Sequence, residues 1–124
     1  MHSSKCVAVI EDDDCVRRVL TSVLGHYYEV VSAPDGESGL RLVNDTHPAI
    51  VFCEAHMSGL NGFEVVNRLK DAHTDARLVM SGWSDEKELA FALGADAFVS
   101  KPIHLPDLVA TIEHLASNRG TSTH

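Results

Sequence analysis

The chain has 124 residues, 44% of them hydrophobic, and a formal net charge of −8 at pH 7. That length suits one domain with one core, and the charge argues against nucleic-acid binding by this domain, because such affinity is largely Lys and Arg neutralising phosphates. No apolar run reaches membrane-spanning length, the start MHSSKCVAVIEDDD carries no export signal, and Cys6, Cys15 and Cys53 lack CxxC spacing, so a cytoplasmic protein with reduced thiols is expected.

Lys5 to Ile10 reads as a first buried strand, with Glu11 and Asp12 at its carboxyl end. Asp13 or Asp14 can cap the following helix, whose inward stripe is Val16, Val19, Leu20, Val23 and Leu24 and which stops near Gly25. Tyr28 to Ser32 is shorter and more polar, so an edge strand; Tyr27 and Tyr28 read as edge packing. Pro34-Asp35-Gly36 is turn and cap chemistry, and a helix with Leu40 and Val43 inward follows to about Asp45. Pro48 breaks it. Ala49 to Cys53 is the third strand, too short and apolar to be a helix, and Glu54 sits at its end.

A helix from Gly62 to Ala72 buries Phe63, Val66 and Leu69. Ala76 to Ser81 is the fourth strand. Gly82, Trp83 and Ser84 form a loop, with Ser84 as a candidate cap for a short helix from Asp85 to Leu93 ending at Gly94. Trp83 is read as packing, ahead of covering the nearby pocket or contacting a partner. Ala97 to Ser100 is the fifth strand, closed by Lys101-Pro102, and His104 to Ser117 is the last helix, with Leu105, Leu108, Val109, Ile112 and Leu115 inward. Asn118 to His124 is expected to fray, leaving one domain over residues 1–117. Strands alternating with helices specify an α/β fold with an open parallel sheet covered on both faces.

The chemistry collects at the carboxyl ends of those strands, where open α/β sheets bind ligands. Glu11, Asp12, Glu54, Ser81 and Lys101 converge there if strands one, three, four and five are neighbours. Three carboxylates suit a hard cation such as Mg2+. A hydroxyl and an ammonium beside it suit a phosphoryl group.

At this point the sequence resembles the receiver domain of two-component response regulators. VAVIEDDD, VFCEAHMSGLNG, LVMSG and GADAFVSKP carry the resemblance, which spans about Lys5 to Ala116. It implies a flavodoxin-like, doubly wound five-stranded sheet in the order 2-1-3-4-5 with five helices. It places Mg2+ on Glu11, Asp12, the acceptor position Glu54 and the backbone carbonyl of His56. Ser81 becomes the hydroxyl that follows the phosphoryl group, Lys101 the charge-pairing lysine with a cis bond to Pro102, and Phe98 the aromatic that moves with activation. Implied partners are a sensor histidine kinase or phosphotransfer protein and a downstream effector, with a homodimer through the face of the fourth helix, fifth strand and fifth helix. No independent enzymatic turnover is expected.

The departure is at the centre. Receivers are phosphorylated on Asp, and Glu54 stands at that position. One extra methylene carries the carboxylate roughly 1.5 Å deeper, whereas in-line transfer needs atoms within about 3–3.5 Å and aligned. Glu54 is therefore expected to be a poor acceptor that binds Mg2+, pairs with Lys101 or bonds to Ser81, imitating part of the phosphorylated state. Ser58 stands where the family usually has Pro, so a more mobile loop is expected. The stretch from Ser81 to Gly94 is about two residues short of the family pattern, so the fourth helix should lose part of a turn.

The first expectation is thus a phosphorylation-independent receiver that binds partners. The alternative is an ordinary phosphoacceptor using Mg2+, or an engineered phosphomimetic form of one. With no output domain after the last helix, the effect is expected to pass through another protein, unless the chain is a fragment. A hydrolase built on Asp12 and Asp14 fits less well, as does a flavin site, because the acidic first turn would repel a phosphate. The eight His residues lack HxxxH and HExxH spacing, which argues against a His-based metal site; the His56 imidazole is the one placed to join the acids. Cys53 should face away from Glu54 by strand alternation.

Overall fold

The computed structural model describes residues 5–117. The expected tail at Asn118 to His124 lies outside the described residues. Five parallel strands, β1 (Cys6–Ile10), β2 (Glu29–Ala33), β3 (Ile50–Glu54), β4 (Arg77–Gly82) and β5 (Ala97–Ser100), form one sheet in the order β2-β1-β3-β4-β5. The helices are α1 (Asp14–Leu24), α2 (Gly36–Thr46), α3 (Gly62–Asp71), α4 (Lys87–Leu93) and α5 (Leu105–Ser117). The expected fold and strand order are those observed, and β2 is an edge strand.

Strand alternation divides the core into two layers. Ala8, Ile10, Val51, Cys53, Leu78 and Met80 face α2, α3 and α4 and pack with Val43, Val65, Val66, Leu69 and Ala90. Val7, Val9, Ile50, Phe52, Val79 and Val99 face the other way and pack with Leu20, Leu24, Leu108, Ile112 and Leu115 of α1 and α5. Cys53 therefore lies opposite Glu54, as alternation requires. Burial pushes its thiol far above the ordinary value, with the Glu54 and Glu11 charges adding to the effect. Cys15 is exposed and Cys53 buried. In a timed reaction with a thiol reagent, Cys15 is expected to be modified first and Cys53 only on unfolding, since the thiolate is the reacting form.

Helix starts follow local chemistry. Asp13 caps α1 through the Val16 N–H, Asp35 caps α2 through the Ser38 N–H, and Asn61 and Glu64 close a capping box on α3. Three expectations need correction. Val19 is 47% exposed, because it borders an open groove beside Glu11 and Asp12; Val65 joins the buried face of α3. Tyr27 is exposed and only Tyr28 is packed in the core. Ser84 is no cap. It opens a single 3-10 turn, Ser84–Glu86, before a seven-residue α4, so the helix expected from Asp85 to Leu93 is split and short.

Candidate functional site

Alternation also gathers the site. Glu54 continues the side of β3 that carries Ile50 and Phe52, and Ser81 continues the side of β4 that carries Val79. Glu54 and Ser81 are paired in register between β3 and β4. Glu11 follows β1, whose neighbour on the other side is β3. Three polar side chains are buried in the described protein, and they are these three: Glu11, Glu54 and Ser81.

Glu54 is the hub. It is 1% exposed. Its Oε1 accepts from Ser81 Oγ at 3.2 Å. Its Oε2 accepts from Lys101 Nζ at 3.0 Å and from the His56 backbone N–H at 3.0 Å. A buried carboxylate is tolerated only when paired and hydrogen-bonded, and both oxygens here are. Gly62 makes the close approach of α3 possible: a Cβ at that position would lie 2.1 Å from the Glu54 backbone O. The Lys101-Pro102 bond is cis, as the resemblance implied.

Glu11 lies in the same crevice, at the end of the neighbouring strand β1. Its Oε2 accepts from the Asp13 N–H at 3.1 Å. Its carboxyl is pushed up to about 7, by burial first and by the Glu54 and Asp12 charges, against the Asp13 N–H that lowers it. Its backbone carbonyl accepts from Arg17 Nη1 at 2.8 Å, and Arg17 Nη2 pairs with Asp14 at 2.5 Å. Arg17 is thus a charge the acid run holds beside itself. The sequence reading missed it, though its spacing from Asp14 is that of helix neighbours. Glu11, Asp12, Glu54, His56 and Lys101 line a groove of about 520 Å3 that also has apolar lining from Val16, Val19, Leu20, Ile103 and Leu105.

The family described as Response regulator receiver domain matches residues 7–113. The chain belongs to that family. This receiver is 31% identical over 98 residues to the transcriptional regulatory protein AfsQ1 of Streptomyces coelicolor, covering 77% of this chain and 44% of that protein. It is 30% identical over 117 residues to a cyclic di-GMP phosphodiesterase of Thermotoga maritima, covering 91% of this chain and 31% of that one. Among solved structures it is similar to the receiver domain of NtrX from Brucella abortus, with a TM-score of 0.81, 26% identity and coverage of 90% and 98% of the two chains. A putative response regulator from Chloroflexus aurantiacus shares the fold, with a TM-score of 0.85, 24% identity and coverage of 93% and 99%. The chain spans less than half the length of these two sequence relatives. No helix among the described residues is long and apolar enough to cross a membrane.

Receiver domains generally bind Mg2+ at the phosphorylation site. In this receiver Glu11 and Asp12 line the groove with hard oxygen donors that suit the ion. Glu54 lines the same groove, with its carboxylate bonded to Lys101 and Ser81. Among the described residues no group of three or more His, Cys, Asp or Glu side chains is placed to hold a metal ion. The His56 imidazole turns away from the acids: its Nε2 lies 2.6 Å from Glu86 Oε2, and its ring meets Phe63 edge-on. Trp83 is 53% exposed, not packed, and Lys101 Nζ lies 5.3 Å from its ring centre. Phe98 is half-buried against the α3 and α4 layer, with its Cε1 3.4 Å from where a Cβ on Gly82 would be.

The raised Glu11 carboxyl has a consequence for stability. The folded chain holds this proton more tightly than the unfolded chain, so the penalty is complete above about pH 7 and fades as pH falls toward the ordinary value of 4.5. Glu11→Gln keeps the acceptor for Asp13. In buffer with EDTA it is expected to stabilise the fold by up to about 2–3 kcal/mol at pH 8, with most of that gain gone at pH 5. Thermal melts at the two pH values check this, and a pH-independent gain would refute it.

Proposed function

We propose that the protein is a receiver held in one signalling state by its own Glu54 in place of a phosphoryl group, and that it acts by binding other proteins. One observation carries this reading. Lys101 and Ser81, the ammonium and hydroxyl that a phosphoryl group would draw in, are already bonded to the Glu54 carboxylate. The partners this implies are a histidine kinase or phosphotransfer protein and an effector, in the cytoplasm. The exposed Leu89 and Phe91 of the short α4 offer apolar contact for an effector or a second copy. Mg2+ binds weakly in this reading, held by Glu11 and Asp12, and supplies charge neutralisation to the acid run. Receiver domains are generally not enzymes, and no turnover is assigned to this one.

The second reading is an ordinary phosphoacceptor, favoured by the presence of Glu11, Asp12, Ser81 and Lys101 around one crevice. Intact mass after incubation with acetyl phosphate and Mg2+ separates the two. The native chain is expected to gain no phosphoryl group. A stable gain on Glu54 would overturn the fixed-state reading in favour of the second.

A further inference from the structure

The side chain of Glu86 joins two loops on either side of the crevice, the one after β3 and the turn after β4. Its Oε2 lies 2.6 Å from His56 Nε2, on the loop after β3. Its Oε1 accepts from the Trp83 backbone N–H at 2.8 Å, on the turn after β4. Both loops lead back to Glu54 through their contacts. The His56 N–H donates to Glu54 Oε2, Lys101 Nζ donates to the same oxygen, and Lys101 lies over the Trp83 ring. The contacts therefore close a ring: Glu54, Lys101, Trp83, Glu86, His56 and back to Glu54.

The fold makes a seat for this carboxylate. A Cβ at Gly82 would fall 2.7 Å from Glu86 Oε1, closer than any real contact. Gly82 is the last residue of β4 and does not have a positive φ, so its backbone does not require glycine. What its missing side chain provides is the space that Glu86 fills.

We propose that Glu86 is a positioning residue that straps the turn after β4 across the acceptor crevice, holding Trp83 over Lys101. The strap touches no reacting atom. It acts through His56 and Trp83, and so sets how open the crevice is to a small phosphodonor and what surface Trp83 presents. It rests on the reading of this crevice as the acceptor site.

The chain has a single Trp, so its fluorescence reports Trp83 alone. In the native background Glu86→Ala removes both ends of the strap. Gly82→Ala pushes the carboxylate out of its seat while leaving Glu86 in place; the atom it meets first is the far end of a flexible side chain, with the Ala55 Cβ next at 3.2 Å. Both variants are expected to raise acrylamide quenching by up to roughly twofold, the ratio of full exposure to the present 53%. Glu86→Gln, which can still accept from the Trp83 N–H, is expected to fall between. Circular dichroism checks that each variant is folded.

Quenching unchanged in either alanine variant overturns the strap. A second readout uses the Glu54→Asp chain: adding Glu86→Ala is expected to speed modification by acetyl phosphate several-fold, and an equal or slower rate counts against the gating role. If Glu54→Asp itself takes no phosphoryl group, the acceptor reading fails, and the quenching result still decides the strap.

Discussion

Glu54→Asp is expected to turn a chain that ignores acetyl phosphate into one that takes up a single phosphoryl group in the presence of Mg2+. The reason is distance. Removing one methylene draws the carboxylate back by about 1.5 Å. The contacts of Glu54 with Ser81 at 3.2 Å and Lys101 at 3.0 Å would be carried out of hydrogen-bond range by a retraction of that size. The space vacated is where the transferred group would sit, and Ser81 and Lys101 are then free to meet its oxygens. Because transfer demands approach within about 3–3.5 Å and alignment, the change is one of kind rather than of degree. Intact mass and a peptide map read it. Modification of the variant at position 54 supports the account; no modification would mean that the crevice has lost more than its acceptor. The double variant Glu54→Asp with Lys101→Met should lose the gain, since the transferred group then lacks the ammonium that pairs with its charge.

Much of this site was legible in the sequence, because strand alternation fixes directions. Once Val7 and Val9, Ile50 and Phe52, and Val79 are assigned to one side of the sheet, Glu11, Glu54 and Ser81 must leave their strands on that side too. The order 2-1-3-4-5 then puts them in one crevice. What alternation does not reach is the loops. The Ser84–Glu86 turn has no apolar period, so the sequence points to Ser84 as a cap, whereas Trp83 precedes the turn and Glu86 accepts the bond from its N–H. The His56 imidazole goes to Glu86, a partner 30 residues away that no local spacing indicates. The Val19 side chain follows the helical stripe and is still exposed, because periodicity gives the face of a helix but not which part of that face borders an open groove. Glu54 was expected to choose among Mg2+, Lys101 and Ser81. The register that pairs Glu54 with Ser81, a property of two strands far apart in sequence, is what lets it take the last two together.

Lys101→Met is expected to cost the fold far more than Glu54→Gln, although both break the same ion pair. The asymmetry comes from burial. The Glu54 side chain is 2% exposed and that of Lys101 29%. Without Lys101, the carboxylate stays buried with only the Ser81 hydroxyl and the His56 N–H, and a buried charge that loses its partner costs about 3–5 kcal/mol. Taking the lower end because Lys101 is partly solvated, a loss of about 3 kcal/mol corresponds to a fall in Tm of roughly 10 °C in a domain of this size. Without the Glu54 charge, Lys101 can swing toward water, and glutamine still offers an acceptor, so the cost falls to about 1 kcal/mol. The double variant should then sit close to Glu54→Gln, giving a coupling energy of about 2–3 kcal/mol in a double-mutant cycle. Urea melts of the four chains measure all of this at once. Additive losses would show that the pair behaves like a solvated surface bridge worth about 0–1 kcal/mol, and the fixed state would then need another source. Strong coupling would mean that the bond holding Ser81 and Lys101 in place is also part of what holds the domain together, so the signalling state and the fold could not be varied independently at this position.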